Sequence, residues 1–420
     1  MHDFTFKKKQ LYCESVPVKK IADEVGTPVY IYSRETIIHH YLKMKNAFAE
    51  LKPLICFSVK SNSNLAICRL LAAQGAGLDI VSGGELYRAL KAGADPQKIV
   101  YAGVGKTREE IITALKANIL FFNVESRPEL KLINEIAAKH KKKVNVAIRI
   151  NPDVDPKTHK YITTGKSENK FGLDITMAGK LFRNREAYPW LNITGVHLHI
   201  GSQITEAEPF VKAIKKIACL ITELKGVGID IEYLNLGGGL GIIYAQEQPQ
   251  TAQAFAQAVI PLIKQTGCKL ILEPGRFIVG NSGILATRVT YVKQNPIKRF
   301  IIVDAGMNDL MRPSLYQAYH HIQPVVNDGV LSHPLLRADV VGPICESADF
   351  LGKDRDLPLV QDGDLLAVMS AGAYGFSMSS NYNSRPRPAE VLVADNKYYI
   401  IRRKETYAHS VPEGVPTLAE

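Results

Sequence analysis

The apolar run Leu54-Ile55-Cys56-Phe57-Ser58-Val59 leads straight into Lys60. A lysine at the C-terminal end of a buried strand is poorly placed for solubility and well placed for covalent chemistry. Three other groups share that character. Gly237-Gly238-Gly239-Leu240-Gly241 follows Tyr233-Leu234-Asn235-Leu236, and consecutive glycines let backbone N–H groups close around an anion without Cβ interference. The run lacks the GxGxxG register of dinucleotide sites, and no acid stands about 20 positions on. Glu273-Pro274-Gly275-Arg276 sets an acid, a rigid turn and a base after a β-branched run. A carboxylate pointing inward there needs a cationic partner. His197-Leu198-His199 puts two histidines on one strand face. No carboxylate or cysteine completes a metal set, so no metal is expected and His197 reads as structural.

Taken together, a strand-end lysine, a glycine loop, a strand-end acid and the imidazole of His199 are what pyridoxal phosphate requires. The lysine forms a Schiff base, the acid keeps the pyridine nitrogen protonated, the imidazole stacks on the ring and the glycine amides hold the phosphate.

The elements that must position these groups alternate. Apolar runs at 54–59, 78–81, 99–102, 119–124, 144–150, 193–200, 232–236 and 269–273 are separated by helical patterns such as Glu85–Ala92, Arg108–Lys116 and Arg127–His140. That rhythm indicates parallel βαβ units, and eight of them fit a closed (β/α)8 barrel better than an open sheet. The runs lead to Lys60, Asp79 and Ser82, Gly103, Arg149, His199, the glycine loop and Glu273, which would converge on one mouth. YAGVGKT at 101–107 resembles the end of a phosphate-binding P-loop, but Val100 stands where that loop needs glycine. Thr107 with Glu110 reads instead as a capping box. After Arg276 the pattern turns to strands at Ile284–Lys293, Arg299–Asp304, Asp364–Met369 and Glu390–Ala394, and Val29–Tyr32 precedes the barrel. The expected organisation is a barrel over 34–277 and a mainly β-barrel or sandwich domain from 1–33 with 278–420. The tail after Thr406 is expected to be loosely ordered.

Bulk composition narrows the partners. The 420 residues are 46% hydrophobic and 22% charged, an ordinary globular balance. The formal net charge of +11 comes from dispersed residues with one cluster at Lys139–Lys143, so no nucleic-acid partner is expected. The six cysteines form no CxxC pair, as in a reduced cytosol. The start lacks the apolar stretch of a signal peptide, and no run approaches a membrane span. A cytoplasmic protein with no membrane partner is expected.

The motifs FSVKSN around Lys60, HIGSQ at 199–203, LGGGLG at 236–241, EPGR at 273–276, RPSLY at 312–316, CESAD at 345–349 and GAY at 372–374 occur in this order. The chain thereby resembles the fold-type III pyridoxal phosphate-dependent decarboxylases over nearly its whole length, most nearly those acting on diaminopimelate. The resemblance implies that Lys60 carries the cofactor, His199 stacks on its ring, Glu273 binds the pyridine nitrogen and Asp79 supports Lys60 or the ring. Ser202, Gly238, Gly239, Gly275, Arg276 and Tyr374 would hold the phosphate, with Arg276 and Tyr374 also near the substrate. Arg312, Tyr316 and Glu346 would read the substrate's far end. Cys345 would protonate the carbanion from across a homodimer interface. Ser61 departs from the alanine common after this lysine, which removes no role.

The implied reaction is decarboxylation of meso-2,6-diaminopimelate to L-lysine, the last step of lysine biosynthesis. A substrate with a distal amino acid group needs a cation for its second carboxylate and an acid for its second ammonium, which Arg312 and Glu346 supply. Ornithine, arginine or carboxynorspermidine are the alternative substrates. A racemase would need a tyrosine base where this chain offers Cys345. A non-catalytic regulator would lack the lysine or the cysteine, and both are present.

Overall fold

The computed structural model describes residues 2–155, 170–327 and 334–410. The chain divides into two units, one of Ile38–Ile243 and Glu247–Ile278, the other of Met1–Ile37, Tyr244–Gln246 and Val279–Glu420.

The first unit is a closed parallel barrel. Its strands are Leu54–Ser58 (β1), Gly77–Ile80 (β2), Ile99–Tyr101 (β3), Phe121–Val124 (β4), Val144–Asn151 (β5), Leu191–His197 (β6), Tyr233–Asn235 (β7) and Lys269–Leu272 (β8). They pair in chain order and β8 returns to β1 through Ile271↔Leu54 and Leu272↔Ile55. All eight strands expected from the sequence are present, within a few residues at each end. Cys56, Val100, Phe121, Ala147 and Ile271 fill the barrel's interior, each 1% exposed or less. Polar ends are thereby confined to the mouth.

Helix starts follow local chemistry. Ser82 caps Gly83–Lys91, and Thr107 and Glu110 form the expected capping box on Arg108–Ala117. Ser126 caps Arg127–Lys139, which has proline in its first turn. Lys106 is structural, as its motif suggested. Its buried Nζ donates to Gly103 O, Asn123 O and Glu129 Oε1 at 2.8, 2.9 and 2.7 Å.

The second unit is mainly β. Its long strand Gly283–Gln294 pairs antiparallel with Val29–Ser33 and Leu365–Val368 through its first half and with Arg299–Val303 through its second. Val29–Ser33 also pairs parallel with Ala389–Ala394. Ile31, Ile284, Ala286, Ala367 and Val391 pack as its apolar core. Tyr407–Ser410 form a 3-10 turn, and the rest of the tail expected to be loose lies outside the described residues.

Candidate active site

At the barrel's mouth, β1 ends at Ser58 and one 3-10 turn, Val59–Ser61, carries Lys60 off the strand. Ser61 Oγ donates to Ser58 O at 2.7 Å and fixes that turn. Ser58 sits beside Asp79 of β2 in register, and its Oγ donates to Asp79 Oδ2 at 2.7 Å. Asp79 Oδ1 is buried with no hydrogen-bond partner among the described residues. Burial, then the charge of Glu273, pushes the Asp79 carboxyl well above the usual carboxylate range, against the pull of Lys60.

Glu273 follows β8 and is 5% exposed. Asn235 Nδ2 of β7 and Asn123 Nδ2 of β4 donate to its Oε1 at 2.6 and 3.1 Å. His197 Nε2, the last residue of β6, lies 3.2 Å from Oε2. Burial raises this carboxyl, but His197, the Asn235 bond and Lys60 together hold it below the usual range. The acid is therefore a buried anion with its donors fixed.

His199 lies two residues beyond the end of β6, not on the strand as the sequence suggested. The Gly238 N–H donates to its Nδ1 at 3.2 Å, so Nδ1 carries a lone pair. Loss of water, then Lys60 and Arg149, hold the ring well below the usual histidine range. His199 is thus an uncharged flat plate. Arg149 is itself held in a buried ion pair with Glu125 at 2.6 Å.

The glycine loop is pressed against its neighbours. A Cβ on Gly238 would stand 2.3 Å from Glu273 O, and one on Gly239, at φ +118°, 2.6 Å from Gly201 O. Only glycine fits either position. Arg276 is 6% exposed, and its Nη2 donates to Ser202 Oγ at 3.0 Å. A Cβ on Gly275 would be 3.0 Å from Ser61 Cβ, so this backbone lies tight against the Lys60 turn. Lys60, Asp79, His199, Ser202, Gly238, Gly239, Glu273, Gly275 and Arg276 thus all belong to the mouth of one barrel.

The second unit carries the other expected residues on one short helix and two loops. Arg312 opens the short helix Arg312–Tyr316, is 6% exposed, and its Nη1 donates to Tyr244 Oη at 2.7 Å. Its guanidinium lies over the Tyr244 ring, 4.6 Å from the centroid, and Nη1 is 3.3 Å from His320 Nε2. His320 Nδ1 meets Met369 O at 2.9 Å, which leaves Nε2 to accept from Arg312. Tyr316 ends that helix. Cys345 and Glu346 are exposed. The Cys345 N–H donates to Asn383 Oδ1 at 2.8 Å, and Tyr382 Oη donates to Glu346 Oε1. Asp349 clamps the loop base, accepting from Ile344 N and Met307 N, each at 2.6 Å. Tyr374 is half-buried at φ +56°.

Pyridoxal phosphate fits the donor set of the mouth. Arg276, Ser202 and glycine backbones suit a phosphate, the buried Glu273 anion suits a protonated ring nitrogen, and the uncharged His199 suits an aromatic face. Sequence reading missed the supports: His197, set aside as structural, and Asn123, Asn235, Ser58, Tyr244 and His320. A signal existed for two of them, since Asn123 in Phe-Phe-Asn-Val and Asn235 in Tyr-Leu-Asn are amides inside apolar strands.

Residues 34–280 match the family model described as "Pyridoxal-dependent decarboxylase, pyridoxal binding domain". The diaminopimelate decarboxylase of Aquifex aeolicus (strain VF5) is 51% identical over 97% of this chain and 96% of its own. That of Neisseria meningitidis serogroup A is 50% identical over 94% and 97%. Among solved structures, the M. jannaschii diaminopimelate decarboxylase in co-complex with L-lysine superposes with a TM-score of 0.94 at 41% identity, covering 99% of both chains. The Helicobacter pylori enzyme complexed with L-lysine gives 0.89 at 44% identity, covering 93% of this chain and 97% of that one. With this kinship over the whole length and a mouth built for the same cofactor, the chain belongs to the pyridoxal-dependent decarboxylases, in the branch that carries the name diaminopimelate decarboxylase.

Proposed function

We propose that the protein is a pyridoxal phosphate-dependent carboxy-lyase that converts meso-2,6-diaminopimelate to L-lysine and carbon dioxide. The observation that carries this reading is the Glu273 anion, held by three side-chain donors in the same mouth as Lys60. Bound pyridoxal phosphate supplies an electron sink for the pair of electrons left on Cα when the carboxylate departs.

The chain's own residues do the rest. Lys60 binds the cofactor covalently, and its tight turn against Gly275 orients it. Glu273, as an anion, would accept a hydrogen bond from the protonated ring nitrogen. His199 covers one ring face and excludes water from it. Asp79 bears on Lys60 from the neighbouring strand. Ser202, Gly238, Gly239, Gly275, Arg276 and Tyr374 hold the phosphate, with Arg276 and Tyr374 also facing the substrate. Arg312 takes the distal carboxylate bidentately, Glu346 takes the distal ammonium and Tyr316 packs beside them. Cys345 delivers a proton from Sγ to Cα and so completes the exchange of carbon dioxide for hydrogen.

Cys345 and Glu346 stand exposed on a loop whose base is fixed. This supports a homodimer in which each subunit lends that loop to its partner's site. We further place the protein in the cytoplasm, where lysine is made. Purified holoenzyme incubated separately with meso-diaminopimelate, ornithine and arginine is expected to release carbon dioxide from the first alone, with L-lysine formed. Release only from another amino acid would overturn the substrate. No release from any would overturn the activity.

A further inference from the structure

We propose that His197 is a positioning residue for the reaction, fixing the Glu273 carboxylate so that the shared proton stays on the cofactor's ring nitrogen. The inference rests on the reading of Glu273 given above. Its basis is the arrangement around one buried acid. A carboxylate offers about four lone-pair directions. Asn235 and Asn123 occupy Oε1, at 2.6 and 3.1 Å. His197 occupies Oε2 at 3.2 Å. The remaining direction therefore lies on the oxygen that His197 holds. A hydrogen bond to the charged form of an acid lowers its basicity, and a shared proton then stands on the other partner.

The ring's own surroundings fix its proton. His197 Nδ1 is buried and has no hydrogen-bond partner among the described residues. A bare nitrogen costs less there than an unsatisfied N–H. The proton therefore stands on Nε2, facing Glu273. The barrel holds the ring in place, with His197 in register with Arg149 of β5 and Asn235 of β7. The charge of Lys60 also pulls on Glu273, and Asp79 and Cys56 lie close enough for the Glu273 charge to raise them. The two asparagines carry no charge at any pH. His197 thus meets the acid through its ring N–H.

The test compares three holoenzyme variants. His197→Gln keeps an N–H donor, His197→Leu removes it, and Glu273→Gln is the control. His197→Leu is expected to lower kcat about tenfold or more, since one pKa unit is a factor of ten. Its KM for meso-diaminopimelate should stay within about threefold, and the pH titration of the bound cofactor's visible band should move. His197→Gln should recover most of kcat and the wild-type titration. Unchanged kcat in Glu273→Gln would overturn the reading of Glu273, and this inference with it. A lowered kcat in Glu273→Gln beside a wild-type titration in His197→Leu would overturn the inference alone. If His197→Leu does not fold, NMR of isotope-labelled histidine in the otherwise unaltered holoenzyme decides. A proton on Nε2 whose signal moves in Glu273→Gln supports the proposal, and a proton on Nδ1 overturns it.

Discussion

At the barrel's mouth Glu273 is 5% exposed and takes three side-chain donors, whereas Cys345 and Glu346 of the β unit stand exposed above a loop base clamped by Asp349. Both regions carry charged or reactive groups, but they are organised differently. The barrel desolvates its groups and supplies their partners from strands around its ring, such as Asn235, His197 and Asn123 for Glu273. The loop fixes its backbone through Asp349 and Asn383 and leaves its reactive side chains outward. One region is thus finished within the barrel, and the other keeps its reactive side chains open to solvent.

Five measurements would break or sharpen this contrast, taken from the largest effect downward. Lys60→Ala should lose the cofactor's Schiff-base absorbance on dialysis and with it all measurable carbon dioxide release. A band that survived dialysis would show that the barrel's mouth does not bind through this lysine. Cys345→Ala should retain the cofactor spectrum and lower kcat by about a hundred- to ten-thousandfold, the usual worth of a positioned acid. An unchanged kcat would remove the loop from the chemistry. Mixing it with Lys60→Ala under subunit exchange should restore about a quarter of wild-type activity, because one site in each mixed dimer is intact. Arg312→Lys keeps the charge but not the planar fork, and should raise KM for meso-diaminopimelate about tenfold with little change in kcat. Equal KM values would show that Arg312 serves only Tyr244 and His320.

The smallest effect concerns stability of the β unit. Burial raises the Glu405 carboxyl, but its bonds from Arg387 and Asn381 outweigh this and draw it down to about 2. A depressed folded pKa stabilises the fold above the unfolded carboxylate range and loses that contribution as pH falls toward 2. Because the pair is partly open to water, Glu405→Gln should cost only about 1 kcal/mol at neutral pH. The difference from wild type should vanish near the acid end of a pH series of urea melts.

The sequence made the barrel legible because strands such as Leu-Ile-Cys-Phe-Ser and Ile-Val-Tyr are buried on both faces and read as near-continuous apolar runs. Thr107 and Glu110 were legible because a capping box is local. The support of Glu273 was not. Its donors stand 38, 76 and 150 residues away, and only barrel closure brings them together. His199 followed the same logic in reverse, since the strand's end at His197 is set by pairing with Asn235 rather than by composition. The partners of Arg312 are tertiary too, with Tyr244 reaching it from 68 residues upstream.

The strand Val29–Ser33 has a consequence for how the protein is made. It is flanked by Gly283–Gln294 on one side and Ala389–Ala394 on the other, so both its neighbours are synthesised after the whole barrel. At about 5–20 residues per second, this early segment leaves the ribosome tens of seconds before either partner exists. Its two bare edges are then open to pairing with other nascent chains. A cell that crowds ribosomes on this message, or stalls them within the barrel, should collect aggregates seeded by residues near the start of the chain. Slower initiation, which spaces the nascent chains apart, is the remedy that this strand order favours.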